Sequence, residues 1–248
     1  MAQDYTALAP VYDRGGMADF AYSISGALHD YAQSHEWMGR RVLDIGSGTG
    51  AVAAWFAENR PRLQATCIDS EAAMIEQART KLQFAEFFVH DVRHPLPTRE
   101  IDLAIAIDVI NEFDSVRELE TVFKNINACM NPGKMFIFDL QTTEGLAQRG
   151  SIGDERRADD SSLAIFAHNA YDYERQAYTC QYTIFSEQDG GWSRGAAHRE
   201  MKAFPVQAVG ALLRRSGFEI MALLDARLTA LTTVIPGTLR VFFVAIKQ

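Results

Sequence analysis

Asp44, Gly46, Gly48 and Gly50 fall in the stretch Arg41–Val52, R-V-L-D-I-G-S-G-T-G-A-V. Their types and spacing suit the binding of a nucleotide. Glycine lets a chain turn tightly and lets backbone approach a ligand with no Cβ in the way. Val42, Leu43 and Ile45 make a short apolar run that reads as a buried strand. A helix starting at Ala51 would leave its first N–H groups free to face the ligand, with Thr49 placed to cap it. Gly46, Gly48 and Ala51 also satisfy G-x-G-x-x-G/A, a pattern that holds a pyrophosphate at a helix N-terminus. Asp44, two residues before the first glycine, separates the two readings: a carboxylate repels a pyrophosphate and suits a ligand carrying an ammonium group. Asp69 closes the next apolar run, Leu63–Ile68, about 20 residues on, where the two oxygens of one carboxylate can accept from both ribose hydroxyls.

These groups need a sheet to hold them. Phe87–His90 and Ile101–Ile107 read as a third and a fourth strand, and the fourth is apolar enough to be buried on both faces of a parallel sheet. Functional groups of open α/β sheets lie beyond the carboxyl ends of the strands. That places Asp108, Asn111 and Glu112, in D-V-I-N-E-F-D at 108–114, where they can act. Ser115–Met130 carries Val116, Leu119, Val122, Phe123, Ile126 and Met130 on one helical stripe, ended by Asn131-Pro132-Gly133 before a fifth strand, Lys134–Leu140. Thr142–Asp160 is polar and reads as a loop or short helix. Leu163–Tyr173, Tyr178–Gln188 and Trp192–Ala203 read as three antiparallel strands, with a turn at Asp189-Gly190-Gly191. Val206–Arg215 is a helix, and Phe218–Ala226 and Leu239–Ile246 complete the strands.

The Asp-led glycine motif resembles the first motif of the class I S-adenosylmethionine-dependent methyltransferases, small-molecule branch. The resemblance spans the chain apart from 141–204. It implies S-adenosyl-L-methionine as cofactor, with Asp44, Gly46, Ser47, Gly48 and Gly50 around its methionine end. By the same resemblance Asp69 serves the ribose, and Met74, Asp91 and Val92 the adenine; Ser70, placed to cap the helix that follows, and Asp108 join the cofactor set. The lead-in Y-T-A-L-A-P-V-Y-D at 5–13 is similar to that of small-molecule relatives, whose tyrosines lie near the methionine carboxylate and sulfonium, so Tyr5, Tyr12 and Met17 are expected to close over the cofactor. An Asn/Asp-Pro-Pro-aromatic motif, which marks methylation of nucleic-acid amines, is not present at 108–114. The implied fold is α/β: a doubly wound, mostly parallel seven-stranded sheet with a final antiparallel strand. The expected organisation is a helical cap at 1–39, a core of 40–140 with 205–248, and an antiparallel insertion at 141–204, acting as a lid or a dimer contact.

Composition bounds the partners. A net charge of −8 disfavours a phosphate backbone, so no nucleic acid is expected. Cys67, Cys129 and Cys180 are odd in number and set in apolar contexts, as in a reduced cytoplasmic protein. No leader and no membrane-spanning run is read in the sequence. The expected partner is a small molecule, and the chain a monomer or homodimer.

Methyl transfer needs a nucleophile in line behind the sulfonium methyl. Orientation supplies roughly 7–11 kcal/mol, against roughly 3–5 kcal/mol for a general base at 10²–10⁴-fold. Placement therefore dominates, and a base is optional. His168 and Tyr12 are the catalytic candidates, and Asn111, Glu112, Tyr171 and Arg199 the substrate candidates. Asp108 and Asp139 end two strands but lack a further ligand, so no metal is expected. Cyclisation or transfer of another group from the same cofactor is the alternative, with a nicotinamide-dependent oxidoreductase behind it.

Overall fold

A computed structural model describes residues 5–35, 37, 39–60, 62–188 and 190–248; Asp189, the first residue of the expected turn, lies outside them. The first elements among the described residues are a short 3-10 turn at Ala9–Val11 and α1 (Asp19–Ser34). Strands and helices then alternate: β1 (Arg41–Ile45), α2 (Ala51–Asn59), β2 (Gln64–Asp69), α3 (Ala72–Lys81), β3 (Glu86–Val89), β4 (Ile101–Ala106), α4 (Val116–Cys129) and β5 (Met130–Gln141). After α5 (Thr143–Gly150) come β6 (Asp154–Asp159), β7 (Leu163–Asp172), β8 (Ala177–Gln188) and β9 (Gly191–Lys202). The chain returns through α6 (Val206–Arg215), β10 (Phe218–Leu224) and β11 (Arg240–Lys247).

The main sheet has seven strands in the order β10-β11-β5-β4-β1-β2-β3. β1 pairs in parallel with β2 and β4, and β4 in parallel with β5. β11 runs antiparallel between β5 and β10. One face packs on α1 and α2 through Leu28, Val42, Phe56 and Phe242, the other on α4 and α6 through Phe123, Phe136, Leu213 and Phe243. The rings of Phe138 and Phe243 stack between β5 and β11, 4.8 Å apart. Ser115 caps α4 by accepting from the Glu118 N–H.

Two stretches depart from the sequence reading. Asn131-Pro132-Gly133 ends α4 but is absorbed into β5, whose pairing with β4 shifts register between Ile101 and Leu103. Gly133, at φ +73°, supplies the left-handed residue this irregularity uses. The stretch 142–160, read as a loop or short helix, forms the short helix α5, capped by the Thr142 hydroxyl, and then a strand the reading lacks, β6. β6 reads Asp-Glu-Arg-Arg-Ala-Asp and lies at the edge of a second, four-stranded antiparallel sheet, β6-β7-β8-β9. A charged edge strand needs no apolar alternation, which is why the sequence pattern hides it.

The small sheet does not stand apart. Its inner face, including Ile165, Tyr178, Ile184 and Met201, packs against Tyr5, Leu8 and Val11 of the N-terminal segment, Leu146 of α5 and Met74 of α3. Residues 5–12 therefore form a layer between the second sheet and the carboxyl edge of the first, with Tyr5, Leu8, Ala9 and Val11 buried in it.

Candidate active site

The glycine loop after β1 is shaped by backbone geometry. Gly46 has φ +60°, and a Cβ there would lie 2.4 Å from Val109 Cγ2; Gly48, at φ +53°, is open to space. The Ser47 N–H donates to the Ile68 carbonyl and the Gly48 N–H to Asp69 Oδ2 at 2.8 Å, which ties the loop to the end of β2. Asp69 Oδ1 accepts from the Glu71 N–H at 2.9 Å. Each oxygen keeps a further acceptor site for a ligand hydroxyl. Burial pushes the Asp69 carboxyl up to about 6, against the two N–H bonds that favour its charge.

The expected caps are exchanged. Thr49 does not cap α2; its hydroxyl donates to Asp13 Oδ1 at 2.6 Å and tethers the N-terminal segment. Asp44 does that work instead, accepting from the Ala53 N–H at 3.3 Å in the first turn of α2. It is 2% exposed behind the loop, and burial pushes its carboxyl up to about 7. It does not line the cavity beyond, and neither do Ser47 and Gly50. Ser70 caps nothing, since Glu71 holds the N-cap of α3.

A cavity of about 670 Å³ opens at the carboxyl ends of β1, β2, β3 and β4. Gly46, Gly48, Asp69, Ser70 and Met74 line it on one side, Asp91, Val92 and Phe113 on another, and Tyr5, Tyr12, Glu112 and Arg199 close it. Asp91 is engaged by Arg93 at 2.7 Å, whose hydrogen bonds hold its carboxyl below the usual range. His90 also lines the cavity, and its Nε2 is buried without a hydrogen-bond partner among the described residues.

The closing side is one network. The Tyr5 hydroxyl and the Arg199 Nε both donate to Glu112 Oε1, at 2.8 and 2.7 Å. Arg199 Nη2 donates to the Asp108 carbonyl at 2.8 Å. Burial pushes Tyr12 up to about 12 despite nearby Arg199. At neutral pH its phenol is protonated and can donate, not act as a base.

A second cavity, of about 440 Å³, lies beyond β4 and β5 and at the start of β11; Asp108 and Arg199 line both. Asp108 sits at φ +60°, uncommon for a residue with a side chain. It is held there: its N–H donates to Asp139 Oδ1 at 2.6 Å, and its Oδ1 accepts from Gln141 Nε2 at 3.0 Å and Arg240 Nη1 at 2.8 Å. Burial would raise the Asp108 carboxyl, but Arg240, Arg199 and Arg149 outweigh it and hold the group well below the usual carboxylate range. Asp139 is pushed up to about 6 by burial, with Arg240 opposing and Asp108 adding to the rise. Arg240 also bonds Asp139, so a guanidinium occupies the gap between the two carboxylates.

Several predicted residues fall elsewhere. Met17 lines the second cavity and not the first. His168 is exposed on β7 and paired with Asp154 at 2.6 Å, away from both cavities; it has nothing to act on. Tyr171 lines neither cavity. Asn111 is a buried clamp: it donates to the Gln141 and Lys202 carbonyls and accepts from the Gln141 N–H. Arg240, Gln141 and Arg149 were missed. The available signal was Arg240 itself, a charge opening an otherwise apolar final strand.

Residues 42–133 match the family described as a methyltransferase domain. That stretch, 92 of the 248 residues, takes in the glycine loop and Asp69, and it is what this chain shares with a methyltransferase domain. Over 102 residues it is 31% identical to the demethylmenaquinone methyltransferase of Thermotoga maritima, a stretch covering 40% of this chain and 43% of that relative. The chain thus spans less than half the length of this curated relative. The methyltransferase fold extends much further. An S-adenosylmethionine-dependent methyltransferase from Clostridium acetobutylicum superposes with a TM-score of 0.81 over 98% of both chains, at 19% identity. The sugar N-methyltransferase KedS8 from Streptoalloteichus sp gives 0.78 over 100% of this chain and 94% of that one, at 17% identity. At such identities the likeness is one of fold, and it takes in the second sheet. Among the described residues, no helix is long and apolar enough to cross a membrane.

Proposed function

We propose that the chain binds S-adenosyl-L-methionine in the larger cavity and transfers its methyl group, by in-line displacement, to an oxygen or nitrogen of a small molecule. The observation that carries this reading is Asp69: a half-buried carboxylate fixed by the Gly48 N–H, on a left-handed glycine loop, at the edge of a cavity of cofactor size. Gly46 and Gly48 admit the cofactor backbone-close, Asp69 accepts from its ribose, and Met74 and Val92 pack beside its base. His90, with its unpartnered ring nitrogen, is one further polar contact for it. When bound, the cofactor supplies a sulfonium-activated methyl group.

The chain's own part is placement. Tyr5, Tyr12, Glu112 and Arg199 exclude water from above, and Tyr12, protonated, orients by donating. With His168 outside the site and Tyr12 unable to accept a proton at neutral pH, catalysis rests on orientation. The second sheet is the lid, carrying Arg199 to the site on β9.

The test is thermal unfolding with S-adenosylmethionine, its demethylated product or NAD⁺, each in large excess. A ligand at 100 times its dissociation constant adds about 2.7 kcal/mol, which raises the midpoint of a chain this size by about 5–10 °C. A shift with the two adenosyl ligands alone is the expected result. A shift with NAD⁺ alone would overturn the reading. Release of methylthioadenosine without a methylated product would replace methyl transfer by another use of the cofactor.

A further inference from the structure

The smaller cavity carries charge that the cofactor does not call for. Its lining includes four guanidinium groups, Arg149, Arg157, Arg199 and Arg240, against one carboxylate, Asp108. Arg199 is committed to Glu112, Arg240 to Asp108 and Asp139, and Arg157 is 3.2 Å from Glu155. Arg149 differs. Its guanidinium lies over the Tyr178 ring, 4.9 Å from the centroid, and 3.9 Å from Met201 Sδ. It forms no ion pair among the described residues. Arg149 is thus the lining guanidinium left without a carboxylate partner among the described residues, in a chain that is acidic as a whole, at −8.

Position gives the cavity its role. The larger cavity covers the ends of β1 to β4, and the smaller one the end of β5 and the start of β11, with Asp108 and Arg199 as the common wall. We infer that the second cavity is the acceptor site and that it takes a small molecule bearing a carboxylate or phosphate group, held by Arg149 and Arg157. Arg149 lies near enough to Asp108 to help hold its carboxyl down, so an anion on Arg149 keeps the rest of a small molecule beside Asp108 and Arg199, the residues that both cavities share. A planar guanidinium binds either anion through two parallel N–H bonds. This inference rests on the cofactor reading for its meaning, but its test does not.

The test is titration calorimetry on the full chain, at constant ionic strength, with citrate as the carboxylate probe and inorganic phosphate as the other. The same titrations are run on Arg149→Gln, Arg157→Gln and Arg149→Lys, with the demethylated cofactor product titrated into each. The expected result is saturable binding of one anion to the wild-type chain, weakened at least tenfold (about 1.4 kcal/mol) in both glutamine variants and partly restored by lysine. The anion that binds identifies the group. Unaltered affinity for the cofactor product in the glutamine variants shows that their fold is intact. Absence of saturable binding by either anion, or wild-type anion affinity in Arg149→Gln, overturns the inference. Failure of the cofactor product to bind any form, with the anion results as expected, would sink the cofactor reading and leave the anion site standing.

Discussion

Replacing Arg240 by glutamine removes the guanidinium that lies between Asp108 and Asp139. Asp139 has a fully buried side chain, Asp108 is about one-fifth exposed and Arg240 less, so solvent does little to compensate. Removing one partner of a buried ion pair costs about 3–5 kcal/mol, because a charge is left uncompensated. For a chain of this length that is a fall in Tm of about 6–20 °C, at roughly 2–4 °C per kcal/mol. The loss depends on pH. Asp139 titrates at about 6 in the folded chain, above the unfolded value of about 3.9; the folded state therefore holds its proton more tightly, and that stabilisation is full below about pH 4 and gone by pH 6. Asp108 is depressed, so its contribution is present above about pH 4 and lost in stronger acid. Without Arg240 both carboxyls move upward, and acid relieves the variant more than the wild type. The expected deficit, from urea unfolding followed by circular dichroism, is about 3–5 kcal/mol at pH 8. It shrinks by about one pK unit's worth or more, 1.4 kcal/mol, at pH 5.5. An equal deficit at both pH values, or one below about 1 kcal/mol at pH 8, would refute the account of this triad.

Asp69→Ala removes the acceptor fixed at the end of β2; affinity for the demethylated cofactor product should fall by about 10–150-fold, from 1.5–3 kcal/mol per charged hydrogen bond, and unchanged affinity by calorimetry would remove Asp69 from the ribose. Gly46→Ala should destabilise the chain by about 1–3 kcal/mol, through a disfavoured φ and overpacking against Val109. Adding Val109→Ala should recover part of that loss in the urea midpoint, and no recovery would place the strain elsewhere. Tyr12→Phe should slow turnover without altering the shape of the pH–rate profile between pH 6 and 9, since the phenol stays protonated there; disappearance of a titrating limb would make Tyr12 a base. His168→Ala should leave turnover unchanged, and a large loss would mean that β7 reaches the site in a form not seen here.

The floor of the site was legible in the sequence because its logic is local. Asp44 to Gly50 and Asp69 each sit at the end of a short apolar run, so periodicity alone fixes where they emerge. Legible position did not mean legible role. Asp44 was read as facing a cation, yet it caps α2, because a buried helix start demands an acceptor and a carboxylate two residues before the loop supplies one. The second cavity was invisible for a different reason. Arg149, Arg199 and Arg240 come from α5, β9 and β11, and nothing in a linear pattern records that a helix, a lid strand and an antiparallel last strand converge. His168 shows the same limit from the other side, since strand alternation says which residues share a face but not whether that face meets ligand or solvent.

Glu112 joins residue 5 to residue 199 through a single carboxylate oxygen. The floor of the larger cavity is built by consecutive strand–helix units whose contacts are near in sequence, whereas these two bonds of the cover span 107 and 87 residues. Bonds of that reach close long loops, so they form late and open at lower free energy than the sheet beneath them. On the proposed cofactor reading, exchange proceeds by opening of this cover while the floor stays folded. Amide hydrogens of the N-terminal segment should accordingly exchange faster than those of β1 and β4, and saturation with the demethylated product should slow the first set far more than the second.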